Sequence, residues 1–145
     1  SSVHAQSKPT IKPVDAEVIA KKFKRGIFKA ETIEIGADGK REQESAAMCM
    51  DEQSSHMLVF GVLAGVAGCE PLSTREDKSS IAVTANCPTT SEMGANFYSA
   101  TMRWSADGKR IEMESKRVTL EGGKPTDKLL KSLQYKLTHQ AASCP

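Results

Sequence analysis

Residues 96–120, NFYSATMRWSADGKRIEMESKRVTL, decide the fold of this chain. Their first half alternates apolar with polar residues, which is typical of a strand with one buried face. The buried positions would be Tyr98, Ala100, Met102 and Trp104. The dipeptide Asp107-Gly108 favours a tight hairpin turn. We therefore predict that residues 110–120 return as an antiparallel strand.

The second strand of this hairpin changes phase along its length. Ile111 and Met113 face one way, whereas Val118 and Leu120 are out of phase with them. This slip predicts a β-bulge, because a bulge adds one residue to one strand of an antiparallel pair.

Similar patterns extend on both sides of this hairpin. Residues 36–39 read Gly-Ala-Asp-Gly and would turn a strand at 26–35 into a second strand at 41–50. Alternating segments also predict strands at 81–87 and 133–141.

One segment departs from the strand pattern. Residues 51–68 begin with Asp51, a good N-terminal capping residue, and carry a nearly continuous apolar run. We predict a buried helix there. Gly61, Gly65 and Gly68 would form one smooth face of this helix, which we interpret as a close contact with the sheet. A ligand groove or a contact with another helix are the alternatives.

The amino-terminal residues show few sequence patterns that are typical of helices or strands. Residues 1–13 carry two prolines and predict a flexible lead-in. Their start, SSVHAQ, has small residues at the positions that a signal peptidase reads, so it is interpreted as a signal-peptide remnant. A cloning remnant is the alternative. Residues 14–24 predict a short amphipathic helix.

Together these elements predict one α+β domain over residues 14–145. About six or seven antiparallel strands would form a curved sheet packed on the helix, because hairpin signals outnumber crossover signals. A β-sandwich with the helix as a lid is the alternative architecture.

The cysteines indicate the compartment. Cys49, Cys69, Cys87 and Cys144 are even in number, and none has another Cys or a His within four positions. This spacing disfavours a zinc site and predicts two disulfides. Disulfides in turn favour an oxidising compartment.

The length of the helix selects between the pairings. A straight helix over residues 51–67 would span about 25 Å, whereas bridged Cα atoms lie within roughly 7 Å, so Cys49 and Cys69 should not pair. Cys69 and Cys87 flank a polar hairpin. We therefore predict disulfides between Cys69 and Cys87 and between Cys49 and Cys144.

Motifs for metal, cofactor or nucleic-acid binding do not appear in the sequence. His4, His56 and His139 lack a spacing that would present two nitrogens to one metal ion. Phosphate-binding, dinucleotide-binding and nucleophile-elbow motifs are absent, so we predict no cofactor. A formal charge of +2 gives no reason to expect nucleic acid. The longest apolar stretch, residues 57–68, is too short to cross a membrane.

Two polar features remain as candidates for chemistry. His139 could activate a serine across the sheet, although a histidine at the edge of the core is the simpler interpretation. Glu112 and Glu114 project to the same face of a strand and would repel each other unless cations separate them. The cations available for this are Lys109, Arg110 and Lys116.

The order of these features resembles a known family. Its landmarks are Gly26 at the opening of a strand, Cys49-Met50-Asp51-Glu52 before the helix, a polar hairpin from Cys69 to Cys87, and the terminal Cys144-Pro145. In these features residues 25–145 resemble the secreted bacterial family catalogued as domain of unknown function 3617. The resemblance implies an exported protein of Gram-negative bacteria, periplasmic or lipid-anchored, and it implies no particular activity or functional residues.

We therefore expect a non-enzymatic exported binding module, such as an inhibitor, an immunity protein or an envelope-associated protein. Its partner would be a protein or an envelope component. The alternative is a carrier of a small apolar ligand or lipid, enclosed between the sheet and the glycine-bearing helix. An enzyme would require His139 to be bonded to a serine or a carboxylate in a cleft.

Overall fold

The computed structural model describes residues 14–145, so the predictions for residues 1–13 lie outside the described residues. Two helices and seven strands follow one another in the described range. Their bounds are α1 (Ala16–Ala20), β1 (Gly26–Gly36), β2 (Arg41–Met50), α2 (Glu52–Ala64), β3 (Glu70–Asp77), β4 (Ser80–Cys87), β5 (Asn96–Trp104), β6 (Arg110–Glu121) and β7 (Lys124–Ala141).

The strands form one seven-stranded sheet in the order β2-β1-β7-β6-β5-β4-β3. Every neighbouring pair runs antiparallel. Strands β3 to β7 follow each other as successive hairpins, and β7 then pairs with β1, so that the last strand closes onto the first. The predicted α+β class with an antiparallel sheet is confirmed.

The core lies on one face of this sheet, where α2 also packs. Strand β5 buries every second residue, as its sequence predicts, and Tyr98 and Trp104 are only 4% and 7% exposed. Met102 of the same strand is completely buried, and so are four side chains of other strands: Phe28, Ile81, Ile111 and Leu137. Helix α2 contributes Val59 and Val62. The period-two pattern therefore identifies the buried face of the sheet.

The hairpin turn between β5 and β6 has a second role. Gly108 adopts a φ of +70°, which L side chains rarely adopt, and a Cβ at this position would overlap the carbonyl oxygen of Lys22. The Gly108 carbonyl accepts a hydrogen bond from the Lys24 amide at 2.9 Å. The turn thus holds the segment between α1 and β1 in place.

The bulge predicted in β6 is not seen in that strand. The register between β6 and β7 shifts between Arg117 and Val118 and again between Val118 and Leu120, but at both places the additional residues lie on β7. The register between β5 and β6 is regular, and Val118 pairs with Phe97. Val118 is therefore out of phase with Ile111 because it lies on the other face of the sheet.

Helix α2 begins as predicted but ends earlier. Asp51 caps its first turn, because its Oδ1 accepts a hydrogen bond from the Ser54 amide at 2.8 Å. In return, the Asp51 amide donates a hydrogen bond to Ser54 Oγ. The helix ends at Ala64, whereas the sequence predicts that it continues to Gly68. Gly68 has a φ of +75°, which lies outside the helical region.

Two side chains of the sheet hold the carboxyl end of α2. Tyr98 donates its hydroxyl to the Val62 carbonyl at 3.1 Å, and Arg117 Nη2 donates to the Gly65 carbonyl at 3.0 Å. These carbonyls lie at the carboxyl end of the helix, where backbone carbonyls lack a later helical amide to donate a hydrogen bond to them. The positive guanidinium also suits the negative end of the helix dipole.

Both predicted disulfides are present. Cys49, in β2, is bonded to Cys144, and their Cα atoms lie 5.7 Å apart. Cys69, directly before β3, is bonded to Cys87, the last residue of β4. The hairpin between Cys69 and Cys87 brings its two ends together, as predicted, because Asp77 pairs directly with Ser80. α2 lies in the chain between Cys49 and Cys69, which pair with other residues.

Candidate functional site

The exposed large hydrophobic side chains of the described residues lie on the two helices. Val18, on α1, is 51% exposed, and Met57 and Phe60, on α2, are 65% and 55% exposed. Large apolar side chains are usually withdrawn from water, so a group of them on one layer of a domain marks a surface for contact with another molecule. We call the cleft beside Met57 and Phe60 the helix cleft.

The helix cleft is an open depression of about 680 Å³ between α1 and α2. Its lining comprises Ala16 and Glu17 of α1, the two preceding residues Val14 and Asp15, and Gln53, His56, Met57 and Phe60 of α2. The apolar members lie beside a few polar ones, which is the usual composition of a recognition surface.

The sequence of α2 explains why this surface exists. Its apolar residues run almost continuously, so they cover every side of the helix rather than one stripe. Val59 and Val62 point into the core, while Met57 and Phe60 lie on the opposite side and stay in contact with solvent. The prediction of a buried helix is therefore correct for only one side of α2.

The polar groups of the helix cleft give it a negative character. Asp15 Oδ1 accepts hydrogen bonds from the amides of Glu17 at 3.1 Å and Val18 at 3.3 Å, which fixes its carboxylate at the start of α1. The Glu17 carboxylate lies 3.7 Å from Lys21 Nζ, in an exposed pair that is weakly held. Within residues 14–145, no Lys or Arg lines the cleft.

The three glycines predicted to form one face of the helix have different surroundings. At Gly65, a Cβ would overlap the ring of Tyr98, so the backbone lies directly on the sheet. Around Gly61 and Gly68 a Cβ would meet nothing within 4 Å. Close packing on the sheet therefore describes Gly65 alone, and the structure does not bring these glycines together as a groove.

The opposite face of the sheet is polar and carries a row of alternating charges. Glu31 pairs with Lys136, Lys136 pairs with Glu112, and Glu112 pairs with Arg103 across adjacent strands. Glu114 lies 3.8 Å from Arg103. Opposite charges in directly facing positions stabilise a sheet modestly.

This row corrects one sequence-based expectation. Lys109, Arg110 and Lys116 were the cations expected to separate Glu112 and Glu114. The residues that face Glu112 are instead Lys136 and Arg103, because the register aligns β7 and β5 with it. Two shallow depressions of about 260 Å³ each are lined by polar and charged residues of this row together with apolar ones, which are Ala100 and Leu133 in the first and Ile33, Met113 and Tyr135 in the second.

His139 lies at the edge of the core. Its Nε2 donates to the Arg25 carbonyl at 3.1 Å, and its ring meets the edge of Phe28 at a centroid distance of 5.2 Å. The buried Ser55 Oγ donates to the Asp51 carbonyl at 2.6 Å and accepts from Arg25, so it is bound to other groups than His139. Among residues 14–145, no serine is hydrogen-bonded to the His139 ring.

Residues 14–145 contain neither a candidate metal-binding cluster nor a helix that could span a membrane. No three His, Cys, Asp or Glu side chains of this range are grouped so as to hold a metal ion. None of the helices in this range is long and apolar enough to cross a membrane.

The helix cleft is the feature that the sequence analysis missed. The helix predicted within residues 51–68 is present, although it ends at Ala64. An apolar run, however, carries no period that would distinguish its buried side from its exposed side. The large apolar residues at positions 57 and 60 are the only signal in the sequence, and they are indistinguishable there from core residues. The resemblance to an exported family stays a prediction, since no family model, curated protein or solved structure matches the chain.

Proposed function

We propose that this protein is a non-enzymatic, exported binding module that recognises a protein partner through the helix cleft. The observation that carries the proposal is the joint exposure of Met57 and Phe60 beside an apolar cleft. A domain that can bury its other large hydrophobics, including the methionines of its core, gains nothing in stability from leaving these two in water.

The energies are large enough to support binding. Burial of one exposed Met or Phe side chain is worth roughly 1.5–3 kcal/mol. A contact that buries both Met57 and Phe60 would therefore form the centre of an interface, where a few residues supply most of the affinity. The polar groups around them would form the rim.

The charges of the cleft indicate the chemistry of the partner. Asp15 and Glu17 line it, and no Lys or Arg of residues 14–145 does, so a partner segment with apolar side chains and a Lys or Arg matches it best. A partner segment with an Asp or Glu at that position would meet two carboxylates.

An exported location supports this assignment. Both disulfides join parts of the chain that are distant in sequence, with separations of 95 and 18 residues. Such bonds are typical of proteins in oxidising compartments. The resemblance to an exported bacterial family favours the periplasm or the exterior.

The alternative, a carrier of a small apolar ligand, is less well supported. The cavity between α2 and the sheet, bordered by Gly61, Tyr98 and Met113, measures about 50 Å³. Sites for small organic ligands usually measure about 300–1,000 Å³. A lipid chain would need the helix to move away from the sheet.

Selection of random peptides on the immobilised protein tests the proposal. We expect the enriched peptides to carry at least two large apolar residues and a Lys or Arg. Their binding should be lost in Phe60→Glu and in Met57→Glu, because each change places a charge in the apolar centre of the cleft. Glu17→Lys should weaken binding of the same peptides by reversing a charge.

Val18→Glu is the matched control. Val18 is exposed to a similar degree on α1 but does not line the cleft, so this variant should bind the peptides like the wild type. The proposal is wrong if the enriched peptides bind Phe60→Glu and the wild type equally, or if the peptides are acidic. Circular dichroism of each variant confirms that the fold is kept.

A further inference from the structure

The disulfide between Cys69 and Cys87 lies beside a positive charge. Arg117 Nη1 is 3.5 Å from the Cys87 Sγ. The same guanidinium donates to Asn96 Oδ1 at 2.8 Å and stacks on the Tyr98 ring, with its central carbon 4.4 Å from the ring centroid. Among the described residues it forms no ion pair with a carboxylate, so its charge is not neutralised by an anion.

This charge acts unequally on the two sulfurs. A guanidinium does little for a neutral disulfide, but it stabilises a thiolate at the Cys87 Sγ. The Cys69 Sγ faces the carbonyl oxygens of Gly65 at 3.8 Å and Ala67 at 3.6 Å, which disfavour a negative charge there. The Gly65 oxygen is also 3.9 Å from the Cys87 Sγ, but it accepts a hydrogen bond from Arg117 itself.

The two cysteines of this disulfide also differ in their exposure to solvent. Cys87 is only 5% exposed, whereas Cys69 is half-buried and follows an exposed glycine. A small molecule in solution therefore reaches the sulfur of Cys69 first. The less accessible sulfur, that of Cys87, is the one whose thiolate the Arg117 guanidinium stabilises as a leaving group.

We propose that the bond between Cys69 and Cys87 is a site of thiol–disulfide exchange with small thiols of the glutathione type. A thiolate of the small molecule attacks the Cys69 Sγ and forms a mixed disulfide with it. The bond between Cys69 and Cys87 breaks, and its electron pair remains on the Cys87 Sγ as a thiolate beside Arg117.

A second molecule of the thiol completes the reaction. Its thiolate attacks the sulfur of the first molecule in the mixed disulfide, which releases Cys69 as a thiolate that takes a proton from water. The protein disulfide gains two electrons, and two small thiols become one oxidised disulfide. Reaction in the reverse direction restores the bond.

The second disulfide offers an internal comparison. Cys49 and Cys144 are both half-buried, and among the described residues no side chain donates a hydrogen bond to either sulfur. If access alone controlled the reaction, this bond would exchange at least as fast as the other, because Cys49, Cys69 and Cys144 are all half-buried. If the stability of the leaving thiolate controls it, the bond between Cys69 and Cys87 exchanges first.

Peptide mapping after treatment with reduced glutathione tests the proposal on the full chain. Samples are quenched with acid, alkylated and analysed by mass spectrometry over a time course. We expect glutathione on Cys69, a free thiol at Cys87, and an intact bond between Cys49 and Cys144. An earlier adduct on Cys49 or Cys144, or an adduct on Cys87, overturns the proposal.

Two variants of Arg117 isolate the effect of the charge. In Arg117→Met we expect the exchange at Cys69 to slow by about three- to tenfold, because the leaving thiolate loses its cation. Arg117→Lys keeps a cation and should retain most of the wild-type rate. A variant that merely loosened the fold would react faster at both disulfides, so an unchanged or faster reaction in Arg117→Met contradicts the proposal.

The pH dependence of alkylation supplies a readout that a purely structural role for Arg117 would not change. After reduction of the bond, the rate at which iodoacetamide modifies Cys87 reports the formation of its thiolate. We expect this profile to move to higher pH in Arg117→Met and to stay near the wild type in Arg117→Lys. Superimposed profiles for all three proteins would overturn the proposed role of the cation.

Discussion

Strand β5 and helix α2 are both rich in large apolar side chains, but they differ in how many of these side chains they bury. Strand β5 buries its alternate residues almost completely, and Met102 has no exposed surface. Helix α2 buries Val59 and Val62 yet leaves Met57 and Phe60 more than half exposed. Alternation therefore specifies which side chains enter a core, whereas a continuous apolar run specifies only that some of them do.

The two disulfides sharpen this comparison, because one fastens the sheet and the other fastens the end of α2. We expect Cys49→Ala with Cys144→Ala to lower the free energy of unfolding by about 4–5 kcal/mol, against about 3 kcal/mol for Cys69→Ala with Cys87→Ala, since the first bond closes the longer loop. Urea denaturation of the two double variants measures both losses. A larger loss in the second pair would show that the end of α2 depends on its disulfide beyond the entropy of the loop.

A matched pair of methionines tests the comparison within one residue type. Met102→Ala should lower the free energy of unfolding by about 2–5 kcal/mol, because it leaves a cavity in the core. Met57→Ala should change it by less than about 0.5 kcal/mol, because the Met57 side chain is 65% exposed. Thermal or urea denaturation provides the measurement. Equal losses would mean that Met57 is packed in solution, and the helix cleft would then be closed.

A matched pair of glycines on α2 and directly after it should give effects of opposite sign. Gly65→Ala should lower the free energy of unfolding by about 1–3 kcal/mol, because the new methyl group overlaps the Tyr98 ring. Gly61→Ala should raise it by about 0.5–1 kcal/mol, since the methyl group enters open space and alanine favours the helix. Stabilisation by both changes would show that α2 does not lie directly on Tyr98.

The sequence was sufficient for those parts of the fold that depend on local pattern. The hairpin at Asp107-Gly108 and the pairing of Cys69 with Cys87 follow from turn chemistry and spacing over short stretches of chain. The beginning of α2 follows from the capping side chain of Asp51. Each of these features is decided by neighbours along the chain.

Features that depend on distant residues were not predictable in this way. The end of α2 is set by Tyr98 and Arg117, which bind its last carbonyl groups from the sheet. The partners of Glu112 depend on the register of β5 and β7. The helix cleft depends on which side of α2 the sheet covers. The apolar residues of α2 form a continuous run, so no pattern in its sequence identifies the covered side.

The smallest predicted effect concerns pH and the start of α2. Hydrogen bonds from the amide and hydroxyl of Ser54 lower the pKa of Asp51 below its usual value of 3.8. A lowered pKa in the folded state means that the Asp51 carboxylate stabilises the protein above the unfolded pKa, and that this contribution is lost as the pH falls through the folded pKa. We therefore expect the free energy of unfolding of the wild type to fall towards that of Asp51→Asn as the pH decreases through and below 3.8. Asparagine is also a good capping residue but carries no charge, so the difference between the two proteins isolates the ionisation from the cap. Urea denaturation at a series of pH values measures it, and a difference that stays constant with pH would show that the charge of Asp51 contributes nothing to the start of the helix.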